Sequence, residues 1–301
     1  MALEVGIVGL PGSGKTALFN ALTRAGASEH ERREHVGVAP IADQRLERVA
    51  AIERSAKITP ATIRVVDVPG TGPALLGNLR RSDALLMVVR DTEELENLKL
   101  ELLVADRDHV EKRLERVRSQ AKSGDPKLRQ EAGELDELLR HLDAGASLAD
   151  WGRPVPPELE PLTAKPAVVV LNGPEGIDLE LEEELAELEP EEAVAFRDGG
   201  RSALEEVVLR LKDALDLIAF FTAGSTEARA WTLRRGQTAL DAAETIHTDI
   251  ARGFIRCEVI RWGDLVECGS RAEAAKRGLQ RLEGKDYAVE DGDVLNIRFN
   301  V

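Results

Sequence analysis

The sequence predicts an α/β protein: a doubly wound, mostly parallel sheet interrupted by an antiparallel helical hairpin and followed by a smaller α+β domain. Three observations carry the prediction. Four short runs are apolar rather than alternating, two charged stretches keep apolar residues at helical spacing, and beyond residue 220 the chain changes to short β-rich pieces. Residues 3–8 form the first run and lead into a Gly-rich turn at Gly9, after which residues 16–23 place Ala17, Leu18, Ala21 and Leu22 on one helical face. Residues 62–68 form the second run and lead into Pro69-Gly70, residues 84–89 the third, and residues 167–171, ending at Asn172, the fourth. Runs of this kind suit a parallel sheet covered on both faces, hence a doubly wound domain. Between the third and fourth runs, Leu95, Leu98, Leu102, Ala105, Val110, Leu114, Val117 and Ala121 make one apolar stripe, and Leu128, Ala132, Leu135, Leu139 and Leu142 a second. Gly124-Asp125-Pro126 cannot easily continue a helix, so the two stripes predict antiparallel helices joined by a tight turn. Residues 152–166, with five prolines, return to the sheet. The acidic stretch 175–192 reads as a solvated helix and residues 202–219 as an amphipathic one. The last part reads as strands at 230–233, 254–261 and 294–299 around a helix at 239–246, with a tight turn at residues 290–293.

Composition limits what such a chain does. Its 301 residues suffice for about two domains, and with 43% hydrophobic and 32% charged residues it is globular rather than disordered. No apolar run approaches the roughly 18 residues of a membrane span, and the N-terminus has no basic segment before an apolar one, so no membrane association and a cytoplasmic location are expected. Cys257 and Cys268 lack zinc spacing and read as reduced thiols, a redox pair being the alternative. The net charge of −15 argues against general coating of nucleic acid. Residues 222–301, however, hold 12 Lys and Arg against 13 Asp and Glu, so the C-terminal part is where a local basic face meeting RNA is expected.

Three motifs carry chemistry. Gly9-Leu10-Pro11-Gly12-Ser13-Gly14-Lys15-Thr16 fits G-x-x-x-x-G-K-[ST] between a strand and a helix. In such a loop the backbone amides wrap phosphates, Lys15 reaches the outer phosphates and Thr16 ligates magnesium. Asp67-Val68-Pro69-Gly70 fits the DxxG pattern, whose carboxylate holds magnesium through water and whose glycine amide meets the γ-phosphate. The nucleotide-binding set is therefore Pro11, Gly12, Ser13, Gly14, Lys15, Thr16 and Ala17, with Thr16 and Asp67 for the metal and Lys15, Asp67 and Gly70 for catalysis. Asn172-Gly173-Pro174-Glu175 occupies the place of a base-reading N-K-x-D motif. Its fourth residue is not the aspartate that pairs with guanine, so Asn172 and Glu175 point to adenine, with a plain turn as the other reading. Trp231 and Trp262 read as core anchors, and His247 as a turn cap or an RNA contact.

In order, GLPGSGKT followed by ALFNALT, VDVPG, a hairpin containing EKRLERVRSQAKSGD, TAKP before NxxE, FFTAGSTEARAWTLRRGQTALDAAETIHTDIARGFI and KDYAVEDGDVLNIRFN resemble the YchF family, the Obg-like ATPases. The resemblance spans nearly the whole chain and is most specific at its C-terminal end. It implies a translation-factor-class P-loop protein that prefers ATP to GTP, hydrolyses it slowly with Mg2+ and associates with ribosomes. It also implies a ubiquitin-like C-terminal TGS domain that contacts RNA or the ribosome. The domains expected on this basis are a nucleotide-binding part at 1–92 and 165–219, a helical hairpin at 93–164 and a TGS-like domain at 220–301. The sequence departs from the family at several points. Gly12 stands where the family loop has asparagine, and residues 24–35 form a shorter first switch without threonine. The segment after DxxG is short, with Thr71 where the family has a hydrophobic residue, no histidine-bearing loop follows residue 89, and no further strand is evident after Glu192. Binding parts thus survive better than hydrolytic ones. The alternatives are a ribosome- or RNA-binding module with a non-hydrolysing pocket, a GTP-binding switch, and a small-molecule kinase, for which Arg80-Arg81 is a weak lid candidate.

Overall fold

The structure, a computed structural model, describes residues 3–27, 34–68, 73–122, 125–197 and 202–300. Along the chain run β1 (Glu4–Val8), α1 (Lys15–Thr23), β2 (His35–Ile41), α2 (Gln44–Glu53), β3 (Lys57–Thr59), β4 (Ala61–Asp67), α3 (Pro73–Leu79), β5 (Ala84–Val89), α4 (Thr92–Ala121), α5 (Pro126–Asp143), β6 (Ala167–Leu171), α6 (Leu179–Glu187), α7 (Pro190–Phe196) and α8 (Ala203–Ala214). The remainder comprises β7 (Leu217–Ala223), β8 (Glu227–Arg234), α9 (Ala239–Ile246), α10 (Thr248–Arg252), β9 (Phe254–Arg261), α11 (Trp262–Cys268), α12 (Arg271–Lys276), β10 (Arg281–Glu283) and β11 (Asp293–Phe299). Packing divides the chain into two compact units, Met1–Val38 with Arg64–Leu204 and Ala39–Ile63 with Glu205–Val301. The bounds expected from the family resemblance are 92/93, 164/165 and 219/220.

The first unit is built on a five-stranded sheet of order β2-β4-β1-β5-β6. β1 runs parallel to β4 and β5, and β5 parallel to β6, so the strand ends that carry Gly9, Asp67 and Asn172 all reach the same edge. In α/β sheets that edge is where ligands bind. Both faces are apolar, as the runs predict. Val8, Val66, Leu85, Met87 and Val89 pack with Leu75, Leu76 and Leu79 of α3 and Leu98 and Leu102 of α4, while Val5, Ile7, Leu86 and Val88 alternate with them and are equally buried. No strand follows β6 in this sheet among the described residues.

The hairpin forms as its two stripes require. Asp91 caps α4 by accepting from the Glu94 amide, and Asp125, ahead of Pro126, caps α5 by accepting from the Lys127 amide. Val110, Leu114 and Val117 interdigitate with Leu135, Leu138 and Leu142. Ion pairs such as Arg113 with Glu131 and Arg118 with Asp136 line the wet flank, where each contributes little. The base of the hairpin is held differently. Buried Asp106 accepts from Arg80 Nη1 at 2.7 Å, from the amides of Leu162 and Thr163 at 3.0 and 2.8 Å, and from Thr163 Oγ1 at 2.8 Å. Arg80 thus ties the segment after α3 to α4 and to the proline-rich return, and is no lid over phosphates.

In the second unit a six-stranded sheet has the order β10-β9-β11-β7-β8-β3. β3 and α2 come from residues 39–63, a contribution that the sequence reading did not foresee; β3 pairs parallel with β8. The helix expected at 202–219 stops at Ala214, because Asp216 turns to φ +50° and Leu217, Ile218, Phe220 and Phe221 are then buried as β7. The acidic stretch 175–192 is not one helix either: Asp178 caps α6, which ends at Glu187, and α7 begins at Pro190. Trp231 is an anchor, its ring stacked on Phe220 and its Nε1 donating to Thr222 Oγ1 at 2.9 Å. His247 caps α10 by accepting from the Asp249 amide. Both cysteines are unlinked, and burial pushes the Cys257 thiol up to about 12.

Two predictions follow from these interiors. Asp106→Ala, which strands a buried guanidinium, lowers stability by about 3–5 kcal/mol in urea denaturation, and an Arg80→Met/Asp106→Leu pair recovers part of that loss. Brief alkylation of the native protein at neutral pH modifies Cys268 and spares Cys257, whereas denatured protein is modified at both, as read by mass spectrometry.

Candidate functional site

The site grows from the exit of β1. Gly9 is buried there, and a Cβ on it would lie 2.4 Å from the Val88 carbonyl oxygen and 2.5 Å from Ser13 Oγ. Gly14 has φ +97°, and a Cβ on it would lie 2.5 Å from Asn172 Nδ2. Glycine is therefore required at both positions for space, and at Gly14 also for its left-handed backbone. Gly14 is also the N-cap of α1 and offers no side chain to the helix's first amides. Those amides suit an anion at the loop mouth. Pro11 and Gly12 are exposed at the tip, Ala17 is half-buried one residue into the helix beyond Thr16, and Lys15 Nζ donates to the Leu10 carbonyl at 2.9 Å.

Beneath the loop, buried Thr16 donates through Oγ1 to Oδ2 of buried Asp67 at 3.0 Å. The second carboxylate oxygen, Oδ1, is buried without a hydrogen-bond partner among the described residues, as is Ser13 Oγ. Leaving such an atom unmatched costs about 1–3 kcal/mol or more, which a ligand recovers. A hydroxyl beside a carboxylate with one open oxygen fits a hard divalent cation such as Mg2+. No three His, Cys, Asp or Glu side chains converge on a metal site among the described residues, so water and phosphate would be among the ligands of such a cation. Gly70, assigned to the γ-phosphate by the motif, lies outside the described residues, as does Thr71.

Asn172 stands beside the loop, as its motif requires, but its amide is engaged there. Nδ2 donates to the Ser13 carbonyl at 3.0 Å, and Oδ1 accepts from the Leu179 amide at 3.3 Å. The turn after it is closed by the Gly173 amide on the Ile177 carbonyl and the Ile177 amide on the Leu171 carbonyl, and Glu175 is exposed on that turn. Asn172 thus braces the phosphate loop, and Glu175 is exposed on the turn that follows it.

One residue of the site escaped the sequence reading. His35 opens β2 next to β4, is only 7% exposed, and brings Nδ1 to 3.6 Å from Asp67 Oδ2 with its ring against Phe19. Its position immediately before Val36-Gly37-Val38 was the available clue: a polar side chain at the end of a strand neighbouring the one that carries Asp67.

Similarity to known proteins agrees with this geometry. A family model described as 50S ribosome-binding GTPase matches residues 4–129, and one named YchF-GTPase_C, described as a protein of unknown function (DUF933), matches residues 217–300. The chain is 34% identical to the ribosome-binding ATPase YchF of Haemophilus influenzae and 32% identical to those of Bacillus subtilis and Escherichia coli O157:H7, with both chains covered in full each time. A solved structure of the Schizosaccharomyces pombe YchF GTPase superposes with a TM-score of 0.81 at 23% identity, covering 98% of this chain and 97% of the other, and so shares the fold. With a nucleotide loop at the sheet edge and full-length relatives above 30% identity, the chain belongs to the YchF family.

Proposed function

We propose that the protein is a cytoplasmic Mg2+-dependent ATP-binding protein with slow ATPase activity, whose nucleotide state governs association with a ribosome or RNA. The observation that carries this reading is the Thr16–Asp67 pair, buried under a phosphate loop and left with one unmatched carboxylate oxygen. The first-turn amides of α1 and Lys15 hold the phosphates, and Thr16 and Asp67 hold the cation. Bound Mg2+ would neutralise charge on the outer phosphates. Asn172 fixes the loop under the nucleoside, and Glu175 stands where the base-reading motif has its acid, without the aspartate geometry that selects guanine.

Slow turnover follows from what the sequence provides for water. Positioning of the attacking water supplies much of the catalysis in this reaction class, and the segment after Asp67 is short, with Thr71 at the water-positioning place. The same shortness supports a second reading, a ribosome-binding module whose nucleotide is a structural ligand. In either reading residues 1–92 and 165–219 bind nucleotide, while the hairpin at 93–164 and the TGS-like part at 220–301 meet the partner. The ribosome is the partner named for the relatives, and no helix among the described residues is long and apolar enough to cross a membrane.

Equilibrium binding of labelled ATP and GTP with and without Mg2+, with phosphate release followed in the same samples, tests the proposal. ATP binds more tightly, and Lys15→Ala weakens it at least about tenfold, or 1.4 kcal/mol. Equal binding of GTP contradicts the base preference, and binding of neither contradicts the site. Absence of Mg2+-dependent phosphate release, with ribosomes present, favours the structural-ligand reading.

A further inference from the structure

We propose that His35 is a nitrogen ligand of the divalent cation at Thr16 and Asp67, so that the site favours manganese-class ions over Mg2+ more strongly than an all-oxygen site does. The inference rests on the nucleotide-and-cation reading above and adds to it a ligand that the motifs do not contain. Its basis is a convergence of three side chains from three elements. Thr16 on α1 and His35 on β2 approach the same oxygen of Asp67, at the end of β4, at 3.0 and 3.6 Å. The longer separation exceeds a hydrogen bond. It matches two donors sharing one cation: bonds of about 2.0–2.2 Å at angles of about 90–115° put the two ligand atoms roughly 3–3.6 Å apart.

Burial and packing support the assignment. His35 and Asp67 are 7% and 1% exposed, and the Phe19 ring lies beside the imidazole at a centroid distance of 6.0 Å. The other oxygen of Asp67, Oδ1, has no hydrogen-bond partner among the described residues. An imidazole beside a carboxylate and a hydroxyl is a mixed nitrogen and oxygen set. Oxygen-only sets suit Mg2+, whereas an imidazole raises the relative affinity for Mn2+ and the later divalent ions.

The test uses the full chain with ATP and Mn2+, read by electron paramagnetic resonance with echo-envelope modulation. Bound Mn2+ shows 14N modulation that converts to 15N in protein labelled with 15N-histidine and disappears in both His35→Ala and His35→Asn. The ratio of Mn2+ to Mg2+ affinity falls about tenfold in His35→Asn. Mn2+ that binds with ATP to the unaltered protein without histidine nitrogen modulation overturns the proposal and leaves the nucleotide site standing, and this result needs no variant to fold. 15N-histidine modulation that persists in labelled His35→Ala overturns it equally. Mn2+ and ATP that stay unbound to the protein overturn both readings.

Discussion

The interaction on which the site depends is the brace between Asn172 and the Ser13 carbonyl. A phosphate loop works only if its amides already point at the ligand, because ordering them on binding would consume affinity. Here the loop is pressed between two strand ends: the Val88 carbonyl admits nothing larger than glycine at position 9, and Asn172 admits nothing larger at position 14. The parallel register of β1, β4, β5 and β6 brings those ends to one edge, and the apolar faces of the sheet hold the register. Sheet packing, loop shape and ligand binding are therefore one chain of causes.

Two buried aspartates show how the same residue serves structure or function. Asp106 is saturated by Arg80, two backbone amides and a threonine hydroxyl, and this closed set holds the hairpin to the sheet. Asp67 receives the Thr16 hydroxyl on one oxygen and nothing from the described residues on the other. A protein bears the cost of an open buried oxygen where something else is to complete it. The contrast sets a carboxylate saturated by the protein apart from one left open, without reference to any motif.

Much of the first unit was legible in the sequence because its signals are local. The apolar runs at 84–89 and 167–171 are β5 and β6 to the residue, and Asp125-Pro126 marks the start of α5. What escaped depends on distant partners. β3 is a strand because β8 offers an edge to it, and residues 217–219 belong to β7 because Asp216 leaves the helical conformation just before a run that the sheet buries. Within the site, Lys15, Thr16 and Asp67 were readable from spacing. The bracing role of Asn172 and the proximity of His35 were not, since each is defined by an atom far away in the chain.

The measurement that bears most directly on this account is the affinity of Asn172→Ala, relative to the unaltered protein, for ATP, GTP and inorganic tripolyphosphate. If Asn172 braces the loop, loss of one hydrogen bond of about 1–1.5 kcal/mol weakens all three ligands by the same factor, near tenfold. If ATP alone is weakened while tripolyphosphate binds as before, Asn172 reads the base and the brace is not what shapes the site.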